Sequence, residues 1–149
     1  DKSAKYDVYK LVNHGYKETM GRIGKFPFPM SVEEALSYIK NKLEIPVLRY
    51  AGNRDRLVEK IAILGGAGAE FAGVAKSMGA DLYLTGDLKY HEAQDAAMNG
   101  LVIADGGHFY TERVIIPYLA KRLRDEFKTR GWNVGVLEDV RAKDIFHCV

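Results

Sequence analysis

Four side chains that can bind a metal ion or move a proton occur in two pairs, each with a spacing of four residues. The pairs are Asp87 with His91 and His108 with Glu112. Each pair follows a short apolar run and a glycine, where a helix is expected to begin. Residues i and i+4 lie on one helix face with Cβ atoms about 6 Å apart, so an imidazole and a carboxylate can converge on one ion. The spacing therefore predicts metal binding or acid–base chemistry.

Two predicted strands, at 82–84 and 101–104, position these pairs. Glycines 106 and 107 allow the backbone to turn sharply out of the second strand. His108 and Glu112 then follow the carboxyl end of a strand, where open α/β sheets bind ligands. We expect Asp87 at the same rim of the sheet.

Structural roles are alternatives for the same residues. Asp87 could be the N-cap of a helix beginning near Leu88, a position that aspartate often fills. Glu112 could favour the positive end of a helix dipole, and His108 could be a turn residue that faces solvent. The spacing leaves these alternatives open.

Length and composition indicate one compact domain. The chain has 149 residues, and 47% of them are hydrophobic, which suffices for a sizeable core. No apolar stretch approaches the roughly 18 residues of a membrane span, and the first residues lack the hydrophobic segment of a secretory signal. The single cysteine, Cys148, has no partner for an internal disulfide, which is typical of a reducing compartment. We therefore expect a cytoplasmic location.

The charge pattern gives no strong signal for nucleic acid or for an anionic membrane. The 22 basic and 20 acidic residues are interspersed, and the net charge is +2. Basic residues are concentrated late in one predicted helix, at Lys121, Arg122, Arg124, Lys128 and Arg130. An apolar stripe with a period of four residues lies beside them, at Ile115, Leu119, Leu123 and Phe127. A solvated helix face is the favoured interpretation.

Hydrophobic periodicity alternates between strand and helix, which predicts an α/β protein with a layered mixed sheet flanked by helices. Ser31 to Glu34 form a capping box at the start of a helix that ends before Pro46. Further strands are predicted at 47–51, 60–64 and 134–137, and further helices at 71–78, 88–98 and 111–130. A turn is predicted at 52–55.

The glycine run Gly65-Gly66-Ala67-Gly68 does not complete a nucleotide-binding fingerprint. Reading from Gly66, the last glycine of G-x-G-x-x-G would fall on Phe71, and no Gly-Lys-Ser/Thr follows. A tight strand-to-helix turn near a pocket is the favoured interpretation. The chain also lacks Gly-x-Ser-x-Gly, and Cys148 is badly placed for a nucleophile, which argues against covalent serine or cysteine catalysis.

Three motifs, in this order, resemble the carboxyl-terminal half of the GTP cyclohydrolase 1 type 2 homologues, also called NGG-one-interacting-factor-three-like proteins. They are Gly21-Arg22-Ile23-Gly24 with Pro29-Met30-Ser31, Ala80 to Asp87 with Lys89 and His91, and Asp105-Gly106-Gly107-His108 with Thr111-Glu112. The last two are fairly specific. The resemblance implies that this chain is the carboxyl-terminal part of a larger, two-lobed α/β protein.

The resemblance also implies functional roles. His108 and Glu112 would be ligands of a two-metal centre with zinc, iron or manganese, two ions per full-length protein, and Glu112 would bridge them. Asp87 and His91 would act beside the ions: His91 would move a proton near neutral pH, and Asp87 would orient it or bind substrate. The implied activity is metal-assisted hydrolysis of a small molecule, such as the nucleotide GTP. The family's ring-like assembly implies a homo-oligomer, a hexamer.

Two alternatives to a hydrolase stay open at this point. One is a metal-binding, ring-forming interaction or regulatory protein without turnover. The other is a simple protein–protein module, which a rim filled by side chains would favour.

This chain departs from the family pattern in one respect. An adjacent histidine pair and an aspartate, from the family's amino-terminal half, complete the metal site, and this chain has no His-His pair. We interpret residues 1–20 as a connecting segment and residues 21–149 as a single α/β domain. The fragment alone is expected to bind metal weakly, to be inactive, and to self-associate through uncovered apolar sheet surface.

Overall fold

The computed structural model describes residues 20–147. Of the predicted connecting segment, residues 1–20, only Met20 is described, and Cys148 lies outside the described residues. The strands are β1 (Arg22–Ser31), β2 (Arg49–Ala51), β3 (Leu57–Ala67), β4 (Leu82–Gly86) and β5 (Val102–Asp105). The helices are α1 (Val32–Leu43), α2 (Ala72–Ser77), α3 (Tyr90–Met98), α4 (His108–Glu112) and α5 (Ile115–Thr129). A 3-10 turn, Ala69–Phe71, precedes α2.

The five strands form one mixed sheet in the order β1-β3-β4-β5-β2. The three central strands, β3, β4 and β5, are parallel, and the edge strands β1 and β2 are antiparallel to their neighbours. Every residue of β4 and β5 is buried, which suits central parallel strands covered on both faces. The predicted α/β class with a mixed sheet and flanking helices is confirmed.

Two hydrophobic clusters cover the two faces of the sheet. On one face, α1 packs Val32, Leu36 and Ile39 against alternate residues of the central strands, such as Leu82 and Leu84. On the other face, Tyr83 and Ile103 pack with Ala75 of α2 and Ala96 of α3. Because strand side chains alternate between faces, the same strands contribute to both clusters.

The predicted capping box begins α1 as expected. The backbone N–H of Glu34 donates to Ser31 Oγ at 3.2 Å, and the backbone N–H of Ser31 donates to Glu34 Oε2 at 2.8 Å. The exchange satisfies two backbone donors that a helix start leaves unpaired.

Two predictions of local structure are wrong, and one strand was not predicted. The helix predicted over 111–130 is interrupted at Arg113 and Val114, between α4 and α5. Residues 134–137 form no strand, since Val134 and Leu137 are 55% and 97% exposed and no described strand pairs with them. The strand that was not predicted is β1, which contains Pro27 and Pro29. Its register shifts between Lys25 and Met30, and it lies at the sheet edge, where proline is tolerated.

Asp81, the residue directly before β4, binds β3 through its side chain at the end of the sheet where β4 begins. Its carboxylate accepts from Arg56 Nη2 at 2.7 Å and from the backbone N–H groups of Glu59 and Lys60 at 3.1 and 3.0 Å. Burial raises the pKa of Asp81, but the hydrogen bonds from Arg56, Lys60 and Glu59 outweigh it, and the net pKa lies below the ordinary value.

Exposed apolar side chains lie on the sheet as well as on α5. Both sheet faces carry a packed cluster, yet the strands leave Phe28, Leu57 and Ile63 exposed at 67%, 63% and 37%. Self-association through apolar sheet surface stays a prediction. Ala120 is the buried residue of α5, whereas Ile115, Tyr118 and Leu119 are 52%, 61% and 45% exposed. Among residues 20–147, no helix has the length and hydrophobicity needed to cross a membrane.

Candidate functional site

The carboxyl ends of β3, β4 and β5 meet at one edge of the sheet, and α4 lies across this edge. Gly86 ends β4, Asp105 ends β5, and His108 begins α4 two residues beyond Gly106. An added Cβ at Gly86 would lie 2.8 Å from the carbonyl carbon of Gly107, so the two turns approach closely. This close approach brings the segment after β4 beside the start of α4.

His108 lies between two carboxylates. Its Nδ1 is 2.7 Å from Asp87 Oδ2, and its Nε2 is 3.2 Å from Glu112 Oε2. An ionised carboxylate only accepts hydrogen bonds, so the Asp87 contact places a proton on Nδ1. In the neutral imidazole, Nε2 and the Glu112 oxygen then both present lone pairs, and a proton or a cation can bridge them. The three side chains are about half exposed, at 49% for His108, 52% for Asp87 and 54% for Glu112.

The two carboxylates favour the charged imidazole. The hydrogen bond to Asp87 raises the pKa of His108 above its ordinary value, slight desolvation opposes this, and the nearby charges of Glu112 and Asp87 add to it. The surroundings of His108 are therefore suited to a positive charge.

Asp87 and His91 do not share a helix face, contrary to the expected arrangement. Helix α3 begins at Tyr90, and Lys89 is its N-cap, so the alternative of Asp87 as N-cap is also wrong. Asp87 has φ of +53°, a left-handed conformation that aspartate tolerates better than most residues, and its side chain contacts His108. His91 lies exposed in the first turn of α3, with its ring 5.5 Å from that of Tyr90. The catalytic roles of both residues stay predictions.

Gly66 and Thr111 connect α4 to β3. The backbone N–H of Gly66 donates to Thr111 Oγ1 at 3.0 Å, and Thr111 Oγ1 is 2.8 Å from the carbonyl oxygen of Gly107. Thr111 is 6% exposed, and its hydroxyl links the end of β3 to the first turn of α4. The strand-to-helix turn predicted for Gly65 to Gly68 is wrong in its position, because β3 continues to Ala67 and only Gly68 lies between it and the 3-10 turn that begins at Ala69.

Asp105 was not singled out from the sequence as a site residue, although it holds the turn before His108. Its buried carboxylate accepts from the backbone N–H of Gly107 at 3.0 Å and pairs with Arg49 Nη2 of β2. The sequence signal was the position of Asp105, at the end of an apolar run and directly before two glycines. An acidic residue in that place caps the turn with its own side chain.

The site opens into a cavity of about 1520 Å³. Asp87, His108 and Glu112 lie on one wall, and residues 138–140 and 142–147 line another part. Arg113 lies beside His108 and Glu112, with its guanidinium 5.4 Å from the ring centre of Tyr110 and paired with Glu44. Among residues 20–147, the side chains leave the rim of the cavity open, which argues against the simple protein–protein module.

The donor set fits part of a divalent metal site. An imidazole nitrogen and a carboxylate oxygen face each other at i and i+4, and the second imidazole nitrogen is held by a carboxylate, the usual support of a metal-binding histidine. Within residues 20–147, no group of three or more His, Cys, Asp or Glu side chains is arranged to hold an ion. His108 and Glu112 thus match the two ligands that the sequence resemblance implies, with Asp87 as the support.

The fold and this cluster define an α/β protein with a carboxylate–histidine site at the carboxyl ends of parallel strands. A family model described as Duf34/NIF3 (NGG1p interacting factor 3) matches residues 3–143, and the chain belongs to this family. A GTP cyclohydrolase 1 type 2 homolog of Bacillus subtilis (strain 168) is 34% identical over 131 residues, which cover 88% of this chain and 35% of that protein. The corresponding protein of Clostridium perfringens (strain 13 / Type A) is 35% identical over 87% of this chain and 48% of its own length.

Solved structures agree with the family assignment. A Bacillus cereus protein related to NIF3 has a TM-score of 0.82 and 35% identity, over 87% of this chain and 36% of that chain. A Staphylococcus aureus protein has a TM-score of 0.83 and 30% identity, over 88% and 37% of the two chains. The chain spans about a third to a half of the length of the relatives it matches. The prediction that it corresponds to part of a larger family fold is confirmed.

Proposed function

We propose that this chain carries the histidine–glutamate half of a two-metal centre in a divalent-metal-dependent hydrolase. The observation that supports the proposal most directly is the placement of His108 between Asp87 and Glu112, in an open cavity at the carboxyl ends of the central strands. His108 Nε2 and a Glu112 oxygen would hold the ion, which is zinc, iron or manganese. The remaining ligands would come from sequence outside these 149 residues.

The chain's own residues would have separate tasks in such a reaction. When bound, paired divalent ions lower the pKa of a water molecule and polarise the group under attack. Asp87 holds the proton on His108 Nδ1 and leaves Nε2 directed at Glu112. His91 would move a proton to or from bulk solvent, since histidine changes charge near neutral pH.

The substrate proposed is a small molecule, with nucleotides first. The relatives carry the name GTP cyclohydrolase 1 type 2 homolog, and the cavity is large enough for a nucleotide, with Arg113 and the rings of Phe109 and Tyr110 at its wall. Arginine and aromatic rings suit phosphate and base, respectively. We also propose a cytoplasmic location, where such a substrate is abundant.

A panel of nucleotides, assayed for product release with added zinc, manganese or iron, tests this function in the longest natural form of the protein. We expect turnover that chelation abolishes and that His108→Ala reduces to background. Asp95→Asn, on the exposed face of α3, is the control and should keep full activity. Turnover that persists without metal would contradict the mechanism.

The second candidate is a metal-binding, ring-forming protein without turnover. The exposed apolar residues of α5 favour it, because a surface with Ile115, Tyr118 and Leu119 exposed is suited to self-association. We propose a homo-oligomer, a hexameric ring, under either function. Metal binding by calorimetry together with no product from the whole panel would select this second candidate.

A further inference from the structure

The end of β3 leaves its ladder with β4 at the point where α4 approaches. The register between these strands shifts between Ile63 and Ala67, so Gly65 and Gly66 are not in regular pairing. Gly66 has φ of +70°, a conformation that residues with a Cβ rarely adopt. The chain therefore forms a glycine bulge, Gly65–Gly66, directly beneath the ligand pair.

The space occupied by the two ligands is the space that a side chain at Gly66 would fill. A Cβ built on Gly66 would overlap Oε1 of Glu112, and it would lie 3.1 Å from Glu112 Cδ and 3.3 Å from His108 Cε1. Both ligands therefore rest against the bare backbone of one residue. A side chain at position 66 would therefore displace the Glu112 carboxylate.

Two buried hydroxyls hold the bulge in place from opposite sides. Thr111 Oγ1 accepts from the backbone N–H of Gly66 at 3.0 Å, and Thr85 Oγ1 donates to the carbonyl oxygen of Gly66 at 3.1 Å. Thr85 also accepts from the backbone N–H of Gly68 at 2.9 Å and is fully buried. Every backbone polar group of Gly66 is thus paired with a threonine, and one of these threonines lies on α4 between the two ligands.

We propose that Gly66, pinned by Thr111 and Thr85, is a positioning residue that sets the relative placement of His108 Nε2 and the Glu112 carboxylate. The inference rests on the proposed metal-binding function. Gly66 itself touches neither metal nor substrate; it acts through the two ligands. Metal affinity depends on such support, because residues that orient ligands typically change affinity by about 10- to 100-fold when altered.

The test compares Gly66→Ala with Gly79→Ala, both made in the longest natural form of the protein, because these 149 residues carry only half of the proposed metal site. Gly79 also has a positive φ, +81°, but its added Cβ would meet only Lys60 Nζ at 3.8 Å, an ordinary contact. Both variants therefore carry the backbone strain of alanine at positive φ, and only Gly66→Ala displaces a ligand. We expect the two variants to lose similar thermal stability, and only Gly66→Ala to bind zinc or manganese about 10- to 100-fold more weakly by calorimetry. Equal affinities for the two variants would overturn the inference.

A pair of variants at position 111 tests the hydroxyl without changing a glycine. Thr111→Val keeps the shape and removes the acceptor of the Gly66 N–H, whereas Thr111→Ser restores it. We expect weaker metal binding in Thr111→Val and recovery in Thr111→Ser. Equal metal binding in the valine and serine variants would show that the hydroxyl only stabilises the fold, and would overturn this part of the inference.

Metal-free crystal structures distinguish a failure of the positioning role of Gly66 from a failure of the proposed metal-binding function. In Gly66→Ala, we expect the Glu112 carboxylate to move away from His108 Nε2 by more than about 0.5 Å, the tolerance of a working site. If the unaltered protein binds no metal, the proposed function fails, and this displacement still decides the inference. If the unaltered protein binds metal and the carboxylate of the variant stays in place, the positioning role fails while the proposed function stands.

Discussion

His108 Nδ1 lies 2.7 Å from Asp87 Oδ2, although 20 residues and a complete helix–strand unit separate them in the chain. The contact links the end of β4 to the start of α4 and leaves the opposite nitrogen of the ring facing Glu112. The contact indicates that Asp87 orients the His108 ring, a role that the spacing between Asp87 and His91 did not predict. Asp87 supports a candidate ligand and does not form a second helical pair.

Asp87→Asn should weaken metal binding while leaving the fold intact. Asparagine tolerates a positive φ as well as aspartate does, so the backbone at φ of +53° is preserved. The loss of the carboxylate charge behind His108 should reduce zinc affinity by about 10-fold or more in calorimetry. Asp95→Asn, with the same chemical change on α3, is the control. Unchanged zinc affinity in Asp87→Asn would show that Asp87 does not support metal binding by His108.

Asp81→Asn should destabilise the protein at neutral pH and lose this effect in acid. The net pKa of Asp81 lies below its ordinary value of 3.8, so its charge contributes stability above about pH 4, and that contribution is lost as the pH falls through the lowered pKa. We expect a decrease in the free energy of unfolding of about 1–3 kcal/mol at pH 7. Urea unfolding at pH 7 and at pH 3 measures the difference, with Asp55→Asn as the exposed control. The difference should shrink as the pH falls towards the lowered pKa, and an equal difference at pH 7 and at pH 3 would show that the charge is not its cause.

Ser31→Ala should destabilise α1 by removing the capping box. The side chain of Ser31 accepts from the Glu34 N–H, and its loss leaves that donor without its cap. The expected decrease in the free energy of unfolding is about 1 kcal/mol, measured by chemical denaturation. Ser37→Ala, at an exposed position within the same helix, should change stability much less. Equal effects of the two substitutions would mean that the cap contributes nothing measurable.

Ile115→Glu should reduce self-association. Ile115 is 52% exposed in the first turn of α5, and a charge there opposes burial of this apolar surface against another molecule. We expect a smaller mean mass in light scattering over a concentration series. Lys128→Gln lowers the net charge by the same amount at the other end of the helix and serves as the control. Identical masses for the two variants and the unaltered protein would place the interface elsewhere.

Much of the local structure follows from short-range rules. The capping box of α1, the buried apolar runs of β4 and β5, and the glycine turns could be predicted because each depends on residues close together in sequence. The pairing of His108 with Glu112 on α4 belongs to this group, since the spacing of four within one helical turn decides it.

Other features depart from what hydrophobic periodicity predicts. The helix expected over 111–130 is divided at Arg113, four residues before Pro117, because proline has no N–H to donate to the Arg113 carbonyl and its ring crowds that carbonyl. The segment 134–137 has the composition of a strand but has no described neighbour with which to pair, and a strand is stable only when its backbone groups are paired. Periodicity carries no information on such partners.

By itself, the sequence determined the α/β class, the helical His108–Glu112 pair and the resemblance to a metal-binding family. Only the tertiary structure decided that Asp87 contacts His108 and that Gly66 lies against both His108 and Glu112. The physical reason is that these contacts join residues brought together by the parallel pairing of β3, β4 and β5. Local propensity sets which elements form, whereas sheet order and strand register set which of their ends meet.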